Sequence, residues 1–143
     1  MHFCLYFVLP LAIAADDADA LKAAKKELAG GWTVISAERD GEALPEDDVK
    51  KLRLSFAEEK LTLKQGEKVS HLPYFLHLGG DAHQIDVIPN DGPQKGNPVP
   101  GIYELKGDTL KICMSLKSEA GVPDGFSAAA GSGRILLILK REK

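Results

Sequence analysis

Three of the four histidines in this sequence, His71, His77 and His83, have imidazoles that could ligate a metal ion. Zinc holds its nitrogen ligands at about 2 Å, so the ligands must converge on one point. On a straight β-strand that rises ~3.3 Å per residue, His71 and His77 would lie about 20 Å apart. We therefore predict no metal site and no cofactor, and we expect the three imidazoles to face solvent.

Catalysis by an acid–base pair or a nucleophile finds equally little support. Asp86 and Glu104 would pair only inside a barrel, yet both alternate with apolar residues, so we expect them to point outward. Gly131-Ser132-Gly133 is followed by a predicted strand, whereas a helix follows a nucleophile elbow. No neighbouring base activates Cys113, which predicts a packed or partly covered thiol. We expect a protein that is not an enzyme.

The remaining candidates are apolar residues that alternate along predicted strands and would face the interior of a small barrel. Such a barrel either fills its interior with side chains or holds one small ligand. These interior candidates are Trp32, Val34, Leu54, Phe56, Tyr74, Leu76, Tyr103, Leu105 and Ile112. They favour a binding protein for a small hydrophobic ligand. They fit equally a solid-core barrel that serves the cell envelope as a structural or protein-interaction module through loops 89–100 and 117–133.

The strands that must position these residues are indicated by their alternating pattern. The clearest pair runs from Gly101 to Cys113, where two alternating runs join at Gly107-Asp108 and predict an antiparallel hairpin. In the first strand we expect Trp32, Val34 and Ser36 on one face. Further strands are predicted over residues 51–57, 60–64, 70–78, 84–88 and 134–140. About eight strands without strand–helix alternation predict an all-β, up-and-down antiparallel barrel.

Helices are expected only at the margins of the barrel. Apolar residues at helical spacing predict a short N-terminal helix within residues 15–29, and the barrel domain then occupies residues 30–143. A helical turn is expected after Pro45. Residues 117–133 are rich in Gly, Ala and Ser, and we expect this segment to cross one end of the barrel.

An apolar run from Phe3 to Ala15 opens the sequence. Ala12-Ile13-Ala14 has the small-residue pattern of a signal-peptidase site, so we predict a signal peptide over residues 1–14. The run is shorter than the ~20 residues of a membrane-spanning helix, so no span is expected in the mature chain. The exported protein would be periplasmic or extracellular. A buried N-terminal strand is the alternative.

Size and charge suggest one ordinary globular domain. The chain has 143 residues, 44% of them hydrophobic, with a net charge of −3. No block of basic residues lies on one element, which argues against a nucleic-acid interface. We expect a monomer.

Several phrases of the sequence resemble a known family when they are taken in order. They are Gly31-Trp32-x-Val34-x-Ser36-Ala37-Glu38, Asp40-Gly41 with Leu44-Pro45, Ile85-Asp86, Asn90-Asp91-Gly92-Pro93-x-Lys95-Gly96, the hairpin Gly101–Cys113, Gly131-Ser132-Gly133, and Leu139-Lys140-Arg141. Residues 28–142 are similar to an uncharacterised family of small secreted domains abundant in planctomycete genomes. The chain also resembles the lipocalin-like superfamily, in which a Trp at the barrel base packs beneath a basic side chain from the chain's end.

The resemblance implies a lipocalin-like barrel with no established activity, and it supplies no catalytic residue. Trp32 and Arg141 occupy the positions of the Trp and the basic side chain. We therefore expect this pair to have a structural role at the base of the barrel.

Overall fold

The computed structural model describes residues 18–79, 82–117 and 120–142, so the predicted signal peptide lies outside the described residues. Two helices are present in this part of the chain, α1 over residues 18–28 and α2 at Glu46–Lys50. The strands are β1 Gly30–Arg39, β2 Glu42–Ala43, β3 Leu52–Phe56, β4 Lys60–Gln65, β5 Lys68–His77, β6 His83–Val87, β7 Val99–Lys106, β8 Thr109–Ser115 and β9 Arg134–Arg141.

The sheet closes on itself as an up-and-down barrel. Strands β3 to β9 follow one another in chain order, and β1 pairs antiparallel with both β3 and β9. Eight strands therefore form the closed wall, and β2 adds a short hairpin to β1. Closure removes the exposed edges that an open sheet leaves unpaired. The predicted all-β, up-and-down fold with a short N-terminal helix is confirmed.

Two tight turns connect the hairpins as their sequences predicted. Lys106 pairs with Thr109 across the β7–β8 turn, and Gly107 has a positive φ of 57°. In the β1–β2 turn both Asp40 and Gly41 have positive φ, at 50° and 90°. A type I′ hairpin turn needs this conformation at both central residues, and Asp-Gly tolerates it.

A β-bulge changes the inward face of β1. The pairing of β1 with β9 shifts between Val34 and Ser36, and Ile35 is 54% exposed. Beyond the bulge, Ala37 is buried in place of Ser36, which is exposed. The prediction that Ser36 shares a face with Trp32 and Val34 was therefore wrong, because the extra residue reverses the alternation for the rest of the strand.

Residues 120–133 pack along the outer wall of the barrel, so the prediction that this segment crosses one end was wrong. Ser115 Oγ donates a hydrogen bond to the Gly121 carbonyl at 2.6 Å, near the end of β8. The Lys111 ammonium, nearer the start of β8, lies 5.3 Å from the centre of the Phe126 ring. The segment therefore runs back beside β8. It covers Ile102 and Cys113 on the outer face of the barrel and buries its own Ala128, and each of these residues is at most 3% exposed.

Candidate functional site

One end of the barrel is closed by α1 and the side chains beneath it. Trp32 is fully buried, and its indole N–H donates to the Leu28 carbonyl at 2.9 Å. The guanidinium carbon of Arg141 lies 4.3 Å from the indole ring centre, so the expected contact between these residues is present. Arg141 also donates to the carbonyls of Glu27 at 2.7 Å and Ala29 at 3.2 Å. These bonds satisfy carbonyls at the end of α1 and tie the helix to the last strand.

Two tyrosines lie beside the tryptophan in this closed end. Tyr74 donates its hydroxyl to the Ala57 carbonyl at 2.7 Å and packs edge-on against Phe56 at 5.3 Å. The Tyr103 hydroxyl is buried without a hydrogen-bond partner among the described residues. Burial, together with the charges of Glu27 and Tyr74, raises the pKa of Tyr103 to about 12. Both phenols are therefore neutral fillers of the core at physiological pH.

The structure gathers the predicted interior residues in one core. Most of them are at most 7% exposed, and Leu105 is partly buried against the same cluster. This buried set comprises Trp32, Val34, Leu54, Phe56, Tyr74, Leu76, Tyr103 and Ile112. Their role as ligand contacts stays a prediction, because their side chains already fill the space between them.

The opposite end of the barrel, which we call the mouth, contains two adjoining cavities that open to solvent. The α2 cavity, of about 450 Å³, is lined by Arg39, Leu44, Asp48, Lys51, Leu52, Leu54, Leu63, Gln65, Ile135 and Leu137. The loop cavity, of about 440 Å³, lies under residues 88–98 and includes Leu72, Val87, Val99 and Met114 in its wall. Leu63, Gln65 and Ile135 line both cavities and separate them. Of the predicted interior residues, Leu54 reaches the α2 cavity.

Side-chain volume explains why the mouth is open. The described residues that line the two cavities include no aromatic side chain, whereas Trp32, Phe56 and Tyr74 occupy the closed half. Several inward aliphatic residues at the mouth, such as Leu52 and Leu63, stay only partly buried. A sequence signal for this site existed in their inward alternation, but only the topology brings these strand ends together.

The two loops predicted to contact a partner have different surroundings. In residues 88–98, Asp91 pairs with Lys68 at 2.9 Å, and Asn90 donates its amide to the His71 carbonyl at 3.3 Å. This loop lies over the loop cavity. Residues 120–133 instead pack on their own barrel, with Asp124 bound to Arg134 at 3.0 Å. Partner binding by either loop stays a prediction.

Most of the polar side chains considered for metal or acid–base chemistry lie on the outer wall. His83 differs, because it shares the face of Ile85 and Val87 at the start of β6 and its ring centre lies 5.5 Å from that of Tyr103. His71 forms a hydrogen bond with Thr62 at 2.9 Å, and His77 one with Asp86 at 3.0 Å. Both imidazoles and that of His83 are exposed, as expected. Glu104 lies 3.5 Å from Lys106. Within residues 18–79, 82–117 and 120–142, no group of three such side chains could hold a metal ion.

Cys113 is a buried thiol on the outer face of β8. Its Sγ donates a weak hydrogen bond to the Ser127 carbonyl at 3.6 Å. Burial raises the pKa of the thiol, although the charge of Arg134 acts in the opposite direction. A raised pKa lowers the fraction of nucleophilic thiolate, so the site favours a packed rather than a reactive cysteine.

The fold and the mouth define a closed, eight-stranded barrel with one solid end and one open end. In comparisons with known proteins, no family model, no curated protein and no solved structure matches this chain. None of the helices in the described ranges combines the length and the apolar character needed to cross a bilayer.

Proposed function

We propose that this protein is an exported, non-enzymatic binding protein that holds a small apolar molecule in the mouth of its barrel. The pair of adjoining cavities, of about 440 and 450 Å³, carries the proposal. Small-molecule sites are typically concave, mostly apolar and roughly 300–1,000 Å³ in volume. The resemblance to small secreted domains supports an envelope or extracellular location.

The closed end supports the proposal by making the mouth a fixed shape. Trp32, Tyr74 and Leu28 are each at most 1% exposed, so the floor beneath the cavities is a packed core. The wall between the cavities is Leu63, Gln65 and Ile135, whose Leu and Ile side chains are only partly buried. An apolar ligand would therefore cover hydrophobic surface that faces water in the free protein. Removing such surface from water is favourable at about 25 cal/mol per Å².

Titration with the neutral fluorescent probe Nile red tests this proposal on the purified mature chain. We expect one saturable phase at micromolar protein and a melting temperature that rises with probe concentration, because a ligand of the native state stabilises it by mass action. Leu63→Trp should abolish the phase, since the indole would occupy the wall shared by the two cavities. Val34 is unsuitable for such a block because it is 3% exposed and its enlargement would strain the core.

Val69→Trp is the matched control. Val69 is 48% exposed on β5, and it lines neither of the two mouth cavities. We expect probe binding by this variant to match that of the wild type, with circular dichroism showing both variants folded. A wild type without a saturable phase would exclude the carrier and favour the interaction module proposed as the alternative.

Export has its own test. Amino-terminal sequencing of the protein from its native envelope should begin at Ala15, because signal peptidase would cut after the Ala12-Ile13-Ala14 pattern. An intact Met1 on that material would reject the signal peptide while leaving the binding proposal in place.

A further inference from the structure

The β-bulge of β1 determines which charged residue faces the α2 cavity. With uninterrupted alternation from Trp32 and Val34, Glu38 would point inward and Arg39 outward. The bulge shifts the register, so Glu38 pairs with Leu136 and Arg39 with Ile135, one of the residues that line the mouth. Arg39 lines the α2 cavity. The fold thus places a cation at a position where simple alternation would place an acid.

A second cation lies on the same rim. Lys51, which directly follows α2, also lines this cavity, together with Asp48. In the described part of the chain, neither Arg39 nor Lys51 forms an ion pair. Two cations and one carboxylate leave the rim with one excess positive charge.

The loop cavity lacks this excess. Its rim contains Lys68, whose ammonium lies 2.9 Å from Asp91, another residue of the same rim. The two charges offset each other at that opening. An anion would therefore be drawn to the α2 cavity, whose Arg39 and Lys51 have no such partner.

We infer that the ligand of the mouth is an amphipathic anion, with an apolar body and one anionic group such as a carboxylate. The inference rests on the proposed function. The apolar body lies against Leu54, Leu63 and Leu137 of the α2 cavity, and the anionic group lies between Arg39 and Lys51 at its rim. A guanidinium suits this role because it is always charged and donates two parallel hydrogen bonds to a carboxylate.

Calorimetric titrations with decanoate and with decanol separate the anionic group from the apolar body. We expect the wild type to bind both, decanoate the more tightly. Arg39→Gln should weaken decanoate binding about fivefold, the range for an ion pair near solvent, and leave decanol binding unchanged. Asp48→Asn should strengthen decanoate binding, since it removes the like charge from the rim.

Arg53→Gln is the matched control, because Arg53 is exposed on β3, outside the α2 cavity, 3.9 Å from Glu142. We expect it to change neither affinity. Equal affinities of the wild type for the two ligands, or an Arg39→Gln variant that weakens both alike, would overturn the inference and leave an apolar carrier. Failure of both ligands and of Nile red to bind would instead overturn the proposed function itself.

Discussion

At the closed end of the barrel an indole, two phenols and a phenyl ring fill the interior, whereas aliphatic side chains line the mouth and leave two cavities. Both ends are built from the same alternation of inward and outward residues. Trp32 and Leu63 both face inward, yet Trp32 is fully buried and Leu63 borders open space. Alternation therefore determines direction, and side-chain volume determines whether the interior is filled.

The two ends of the barrel also differ in the side-chain interactions that hold their backbone in place. Arg141 binds the carbonyls of Glu27 and Ala29 while it stacks on Trp32, so one side chain joins α1, β1 and β9. At the mouth, the loop over one cavity is held by the exposed Lys68–Asp91 pair and by the exposed hydrogen bond from Asn90 to the His71 carbonyl. Exposed ion pairs contribute little to stability. Substitutions at the closed end should therefore lower the free energy of unfolding more than substitutions at the mouth.

Trp32→Ala should have the largest effect of the changes considered. Truncating a large buried aromatic residue costs ~3–5 kcal/mol, and here the hydrogen bond to Leu28 is lost as well. Leu63→Ala at the mouth should cost only about 1 kcal/mol, because little packing surrounds it. Urea unfolding followed by far-UV circular dichroism measures both, since Trp32 is the only tryptophan. A cost below ~1 kcal/mol for Trp32→Ala would contradict the assignment of a packed closed end.

Gly41→Ala should have the second-largest effect, because Gly41 lies in a tightly packed contact at the mouth end. Gly41 has a φ of 90°, and a Cβ there would lie 2.7 Å from the backbone nitrogen of Ala130. We expect a loss of ~1–3 kcal/mol, as for other overpacked sites. Gly92→Ala is the matched control, because Gly92 has a φ of 80° but open space around it. Equal losses for the two variants would mean that φ strain alone, and not the contact with residues 120–133, explains the effect.

Arg141→Ala should cost less, about 1–2 kcal/mol, through the loss of its carbonyl hydrogen bonds and its stacking on the indole. Arg141→Lys should recover little of this loss, because an ammonium lacks the planar fork that reaches both Glu27 and Ala29. The exposed neighbour Lys140 provides the control variant Lys140→Ala. Thermal unfolding measures the melting temperatures of the three variants against that of the wild type. A fully stable Arg141→Ala would show that α1 is held without this side chain.

Tyr103→Phe should have the smallest effect at neutral pH, because the hydroxyl it removes is buried and lacks a partner in the described residues. The substitution should change the free energy of unfolding at alkaline pH. The folded-state pKa of Tyr103 is raised to about 12, whereas an unfolded tyrosine ionises near 10. The unfolded state then binds fewer protons than the native state, so stability falls as pH rises through this window.

Urea unfolding at a series of pH values from neutral to strongly alkaline checks this slope. We expect the wild type to lose more stability than Tyr103→Phe above the unfolded pKa. Tyr74, whose pKa is also raised by burial and by Glu58, remains in both proteins and provides the background slope. Parallel curves for the two proteins would contradict a buried, neutral Tyr103.

Much of the fold could be predicted because its signals are local. The Asp40-Gly41 and Gly107-Asp108 turns depend on backbone conformations that these residues tolerate, and the strand pairs that they connect are present. The exposure of His71 also followed from alternation. These features need only neighbouring residues and the two-residue period of a strand.

Less of the candidate site could be predicted, because its residues come from distant parts of the sequence. The α2 cavity joins Leu44, Leu63 and Leu137, which meet only after the barrel closes. The predicted interior set included Leu54 among the cavity residues, and its other members lie outside both cavities. On the strands, inward alternation marks the residues of the filled core and those of the cavities alike, so it cannot distinguish a filled layer from an open one.

The sequence by itself determined the strands, the turns and the direction of most side chains, and its resemblance to lipocalin-like barrels implied the contact between Trp32 and Arg141. Tertiary structure alone decided the bulge that turns Arg39 inward, the packing of residues 120–133 along the outer wall, and the position of the cavities. The physical reason is the sequence separation of the residues that determine each feature. Alternation and turn conformation are properties of a few consecutive residues, whereas a bulge, a covering segment and an unfilled volume depend on which distant strands become neighbours.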